Sequence, residues 1–204
     1  MQRASRWSEG HTINSLVYSI IRVAARICLA PFFDLHVKGR ENVPPASSCI
    51  FLPKHQRWED IPLLALASPG PLYYVAKSEL FTNRLSRWFM TSLGGIPLDR
   101  RRPLASRTSI HAVVGLLKGE ARVVIFPEGT YYRNGMGPGH VGLIRLIHSR
   151  IEARFIPVGI RYSRKGMRRR VDIRFGKTLL WETSTEPEEF LSTVMRQIAT
   201  LSGW

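Results

Sequence analysis

The residues best suited to chemistry follow a short apolar run at 49–52: Lys54, His55, Gln56, Arg57, Trp58, Glu59 and Asp60. An H-x-x-x-x-D spacing at a strand-to-helix turn brings an imidazole and a carboxylate within reach of each other. A histidine near its ordinary pKa of about 6.5 takes up a proton at neutral pH. A carboxylate on its second ring nitrogen fixes the tautomer and stabilises the imidazolium. His55 and Asp60 are therefore the candidate catalytic pair, although the same spacing also suits an ordinary structural hydrogen bond.

Three further segments carry polar groups at strand ends. Gly94 to Leu98 leads into Asp99 and Arg100, with Arg101 and Arg102 behind. Guanidinium groups there suit a phosphate, and a solvated arginine run would look the same. The run 122–126 delivers Pro127, Glu128, Gly129 and Thr130 to a strand's carboxyl end, where open α/β sheets bind ligands. The run 155–160 holds Pro157 inside an apolar strand, which predicts an edge or bulged position.

The order H-x-x-x-x-D, G-x-I-P-L-D-R, F-P-E-G-T and I-P-V-G resembles the four blocks of the glycerolipid acyltransferases, specifically the 1-acylglycerol-3-phosphate acyltransferases, over about residues 35–177. The resemblance implies that His55 deprotonates an acceptor hydroxyl, with Asp60 as its partner. It also implies that Arg100, Glu128, Gly129 and Thr130 bind a glycerol-phosphate acceptor and that Pro157 shapes the acyl pocket. Lys77 resembles the family's basic residue after the second strand, which approaches the phosphate. The implied reaction is direct transfer from a thioester, acyl-CoA or acyl carrier protein, to a lysophospholipid hydroxyl, giving phosphatidic acid with no metal and no cofactor. One departure stands out. The third block usually continues from Thr to Arg, whereas Thr130 is followed by Tyr131 and Tyr132, with Arg133 two places late. Either Arg133 reaches the phosphate from a shifted loop, or the acceptor is a different lysolipid.

The elements that must position these groups alternate. Strands are predicted at 35–38, 49–52, 72–76, 95–98, 122–126, 155–160 and 171–175. Helices are predicted at 61–67, 79–92, 106–118, 140–150 and 188–201. This pattern argues for a single-domain layered α/β fold with a mixed, mostly parallel sheet, which the resemblance implies is an acyltransferase domain at 34–204. At 1–33 lies an amphipathic appendage: Ile13, Leu16, Val17, Ile20, Ala24, Ile27 and Cys28 share one face, and Ser15, Ser19, Arg22 and Arg26 the other. That apolar face either packs on the protein's own core or lies in a membrane interface. Arg22 and Arg26 interrupt the run, so neither a spanning helix nor a secretory signal fits.

Across 204 residues, Lys and Arg number 30 against 15 Asp and Glu, a formal charge of +15. The apolar fraction of 44% suffices for a core and excludes disorder as the main state. Cys28 and Cys49 have no metal-ligand or disulfide spacing, which fits a reducing cytoplasm. The basic excess calls for an anionic partner. With the resemblance, that partner is a lysophospholipid at an anionic membrane surface, reached peripherally from the cytoplasmic face, and an acidic carrier protein is a further candidate. The densest basic stretch, 161–177, reads as a solvated loop or as part of that contact. A nucleic-acid binder would share the charge but leaves the four blocks unexplained. Gly137, Gly139 and Gly142 match G-x-G-x-x-G formally but lack the preceding strand and the ribose-binding acid of a dinucleotide site.

Overall fold

The computed structural model describes residues 13–45, 47–99, 106–182 and 184–204. In chain order the elements are α1 (Ser15–Leu29), β1 (Phe33–Lys38), β2 (Cys49–Pro53), α2 (Asp60–Ala67), β3 (Tyr73–Lys77), α3 (Arg84–Ser92), β4 (Gly95–Leu98), α4 (Ser106–Lys118), β5 (Arg122–Val124), α5 (Gly142–His148), β6 (Arg154–Lys165), β7 (Arg168–Phe175), β8 (Leu179–Leu180) and α6 (Pro187–Ser202). The strands form one sheet in the order β1-β7-β6-β2-β5-β3-β4, with β8 against β6. β2, β3, β4, β5 and β6 run parallel. β7 returns antiparallel to β6, and β1 follows β7. The sheet is mixed and mostly parallel, as the alternation implies.

Helices cover both faces, so the central strands are apolar on both sides. In β2 every residue is buried: Ile50 and Leu52 join the cluster under α4, α5 and α6, while Cys49 and Phe51 join the one under α2. Gly159 permits α6 to pack closely on β6, because a Cβ there would lie 2.3 Å from the backbone of Leu201 in α6. Pro157 corrects the expectation of an edge strand: β6 is flanked by β2 and β7. The ladder donor that proline lacks would face the connection between β7 and β8, where the Gly176 N–H bonds the Pro157 carbonyl.

Two other regions differ from expectation. The predicted helix 79–92 splits into a 3-10 turn, Ser78–Phe81, and α3, because Asn83 and Ser86 form a reciprocal capping box at the start of α3. The basic stretch after Ile160 is not a loop: β6 continues to Lys165 and pairs with β7 out to Arg168, while Val171, Ile173 and Phe175 alternate inward. The first turn of α6 carries Glu188 and Glu189 behind Pro187, where anions complement the helix dipole.

α1 resolves which way its apolar face turns. Tyr18 is buried with its hydroxyl accepting from the Leu72 N–H, and Arg22 points inward to donate to the Ser68 carbonyl. Leu16, Ile20, Val23 and Ile27 are left 57–69% exposed. Among the described residues no helix is long and apolar enough to cross a membrane.

Candidate active site

Because the five strands β2 to β6 are parallel, their carboxyl ends share one edge of the sheet. His55 follows the end of β2, and Asp60 is the first residue of α2. The turn between them folds back so that Asp60 Oδ2 accepts the backbone N–H groups of Gln56 (2.6 Å) and Arg57 (2.8 Å) and lies 3.2 Å from His55 Nδ1. Its other oxygen, Oδ1, accepts the Tyr162 hydroxyl at 2.6 Å. Asp60 is fully buried. With its carboxylate already accepting three donors, Nδ1 is the proton-bearing nitrogen, and Nε2 keeps its lone pair for an incoming hydroxyl. Burial, reinforced by the Asp60 charge and hydrogen bond, pushes the Tyr162 phenol far above its ordinary pKa, so it remains a donor. The imidazole is sandwiched between Phe126, stacked at 3.7 Å, and Tyr131, tilted at 4.4 Å.

Beneath this pair lies a second buried charge system. Lys54 Nζ contacts both Glu128 oxygens at 2.8 and 2.9 Å and the Tyr132 carbonyl at 2.8 Å, with both charged side chains inaccessible to solvent. Glu128 Oε2 also accepts the His55 backbone N–H, and Oε1 accepts that of Gly137. One carboxylate thus ties the end of β2 to the loop after β5. The Tyr132 N–H closes the tie on the His55 carbonyl. Gly137 is required here, since a Cβ would fall 2.2 Å from the Tyr132 ring.

The structure brings His55 and Asp60 together as their spacing implies and divides the remaining candidates. Glu128 is a correction: both its oxygens are occupied by Lys54, His55 and Gly137, so it positions the base and cannot hold an acceptor. Pro157 is buried on the α6 side of β6, beside Gly176 and Leu201. Gly129 and exposed Thr130 remain at the mouth, beside Phe126. Lys77, exposed at the end of β3, lies on the β5 side of His55. Arg133 lies on the opposite, β6 side, in a cleft of about 400 Å³ with Arg57 and Arg161. The strand order thus places the two cations on opposite sides of His55. Arg100, Arg101 and Arg102 lie outside the described residues. An apolar cavity of about 370 Å³, lined by Leu98, Ile110, Ile125, Phe126, Leu143 and Leu146 among others, opens beside the imidazole's stacking partner.

Lys54, Tyr162, Phe126 and Tyr131 were not among the residues predicted to build the site. Lys54 had a legible signal, a lone cation closing an apolar strand, which demands a buried carboxylate. Tyr162 had none, being 102 residues from Asp60 in sequence.

Residues 34–161 match the family model described as Acyltransferase. The chain is 29% identical over 174 residues to 1-acyl-sn-glycerol-3-phosphate acyltransferase of Streptococcus pneumoniae, covering 82% of this chain and 64% of that one. It is 30% identical over 150 residues to lyso-ornithine lipid O-acyltransferase of Pseudomonas aeruginosa, covering 70% and 53%. The chain thus spans less than two thirds of the length of these curated relatives. Its fold is shared with the crystal structure of the 1-acyl-sn-glycerophosphate acyltransferase PlsC of Thermotoga maritima, at a TM-score of 0.70 and 22% identity, over 92% of this chain and 80% of that one. The matched region holds both the His55–Asp60 pair and the Lys54–Glu128 tie that seats it, and the chain belongs to the acyltransferase family.

Proposed function

We propose that this protein transfers a fatty acyl group from a thioester to the free hydroxyl of 1-acylglycerol-3-phosphate, giving phosphatidic acid. The observation that carries the reading is the His55–Asp60–Tyr162 chain at the carboxyl end of the parallel strands, with Nδ1 engaged by Asp60 and Nε2 the ring nitrogen left for a substrate. His55 Nε2 takes the hydroxyl proton as the oxygen attacks the thioester carbonyl, and Asp60 stabilises the imidazolium that forms. Collapse of the tetrahedral intermediate breaks the C–S bond, and the thiolate recovers the proton from Nε2. The sequence needs no acyl-enzyme and no metal.

Lys77 suits the acceptor phosphate, because the surface beyond it is apolar: Leu80, Leu85, Trp88 and Phe89 are all exposed. The cavity beside Phe126 suits the transferred chain. The outward stripe of α1 suits a bilayer interface, each side chain contributing about 1.5–3 kcal/mol if fully buried, with Arg26 exposed toward anionic headgroups. This supports a peripheral enzyme on a lipid surface. A second reading, transfer to a lysolipid without that phosphate, is favoured by Tyr131, which lies against the base where the family carries arginine. The relative from Pseudomonas aeruginosa is named for such an acceptor.

The test is thioester consumption by purified protein and by His55→Ala, with lysophosphatidic acid and lysophosphatidylcholine offered in parallel. Turnover with lysophosphatidic acid alone, lost in the variant, is expected. Turnover only with lysophosphatidylcholine, whose phosphate is esterified to choline in a zwitterionic headgroup, would favour the second reading, and turnover independent of His55 would sink both.

A further inference from the structure

We infer that the cationic cleft on the β6 side of His55 binds the nucleotide end of the thioester donor, a coenzyme A-type adenosine phosphate, so that donor and acceptor phosphates are read on opposite sides of the base. The inference rests on the acyl-transfer reading above and adds a site to it. The cleft, about 400 Å³, lies between the turn after β2, the loop after β5 that carries Arg133, residues 160–162 of β6 and the end of α6 with the residues that follow it. Arg57, Arg133 and Arg161 converge on it, and no acidic residue lines it. Arg161 stands opposite Asp172 in the β6–β7 register, yet Asp172 is held by the Arg170 guanidinium through bonds of 2.9–3.1 Å. No ion pair to Arg57, Arg133 or Arg161 is present among the described residues.

Gathering like charges without a counter-ion is unfavourable, and a bound polyanion relieves that repulsion. Asn134 and the exposed indole of Trp204 line the same cleft, offering an amide and an aromatic face on which a base can stack. The Arg57 guanidinium sits 5.3 Å over the Tyr162 ring, and the two residues also border a neighbouring cavity of about 570 Å³ edged by Arg164, Arg168 and Arg169. A pyrophosphate, a 3′-phosphate and an adenine find complementary groups in this order. Neither the apolar surroundings of Lys77 nor a single acceptor phosphate accounts for six guanidiniums on this side.

The test has an equilibrium arm and a kinetic arm. Adenosine 3′,5′-bisphosphate and free coenzyme A are titrated into wild-type protein while Trp fluorescence is read. Saturable quenching is expected, lost in Trp204→Phe and weakened about tenfold in Arg161→Ala or Arg133→Ala, the loss of one charge-assisted contact. No quenching, or quenching that survives Trp204→Phe, overturns the site. In turnover the same arginine variants should raise KM for acyl-CoA about tenfold and leave KM for lysophosphatidic acid unchanged. A rise in the acceptor KM instead would move the acceptor phosphate here and overturn the assignment. A rise seen only with an acyl carrier protein as donor would assign the cations to that protein's acidic surface and overturn the nucleotide. The titration needs no acyl transfer, so absence of turnover with every acceptor would sink the proposed reaction while the fluorescence still decides the cleft.

Discussion

The charges beneath His55 and the charges around its mouth obey opposite rules. Beneath it, Lys54, Glu128 and Asp60 are buried, and each is saturated by partners within 3.2 Å. Around it, Arg57, Arg133 and Arg161 share a cleft lined by no aspartate or glutamate. The buried set spends its bonding capacity on geometry: it fixes the backbone of residues 54–56 and the orientation of one ring. The rim set leaves its capacity open to what arrives from outside. A basic composition of +15 therefore mixes two functions that composition alone cannot separate.

The sharpest way to break this contrast is to remove the group on which the buried set converges. His55→Ala should lower kcat by about 10²- to 10⁴-fold, the usual worth of general-base help. Its thermal midpoint should fall moderately while the protein still folds cooperatively, because the imidazole is buried against Phe126 and Tyr131 and its loss leaves a small void. A variant that keeps its activity would mean that the saturated network serves stability alone.

Next in size is the Lys54–Glu128 pair. Lys54→Met leaves a carboxylate buried without its counter-ion, at a cost of about 3–5 kcal/mol. For a chain of this length that lowers Tm by roughly 6–20 °C. The double variant Lys54→Met/Glu128→Leu should recover much of the loss, since replacing both partners removes the uncompensated charge. Its activity should stay low, because the His55 and Gly137 N–H groups lose their shared acceptor. Arg161→Ala, by contrast, should shift Tm by no more than a degree or two. Equal effects from the buried and rim substitutions would abolish the distinction.

Tyr162 allows a finer test. Its hydroxyl draws charge from Asp60 Oδ1 and so tempers the carboxylate that faces His55. In Tyr162→Phe the carboxylate stabilises the imidazolium more strongly, the base form is reached only at higher pH, and the acid limb of kcat/KM moves upward. One hydrogen bond of about 1 kcal/mol corresponds to a shift of less than about one pH unit. A downward shift would show that the tyrosine acts on the base by some other route.

What could be read in advance follows the same division. His55 and Asp60 are five residues apart, so one turn decides their contact and the spacing suffices. Glu128 sits in a recognisable block, but its burial depends on a lysine 74 residues earlier, and only the β2–β5 pairing brings them together. Lys77 and Arg133 both looked like phosphate ligands because a sequence has no left and right. The strand order supplies that, placing β6 on one side of β2 and β5 on the other. Amphipathicity likewise found the stripe on α1 but not its direction. Tyr18 and Arg22 decide the direction through bonds to Leu72 and Ser68. The arginines of β6 and β7 hid only the ends of two predicted strands, at 161–165 and 168–170, where charged side chains leave no apolar alternation to read.

The smallest expected signal concerns the apolar part of the rim, and the two cysteines report it without any substitution. Cys28 is exposed on α1 near the outward Ile27, whereas Cys49 is buried in β2 with its thiol pushed up to about 12, mainly by burial. The thiolate is the reactive form, so a maleimide near pH 8 should modify Cys28 and spare Cys49 in the folded protein. Raising the pH through the ordinary thiol range ionises Cys49 in the unfolded chain before the folded one, so any contribution of this group to stability falls as the solution becomes alkaline. Vesicles containing anionic lipid should slow the Cys28 reaction several-fold if α1 lays its stripe in the interface, while Cys49 stays silent as an internal control. Unchanged labelling of Cys28 on saturating vesicles would mean that the stripe faces water even on a membrane, and the apolar rim would then need a protein partner rather than a lipid one.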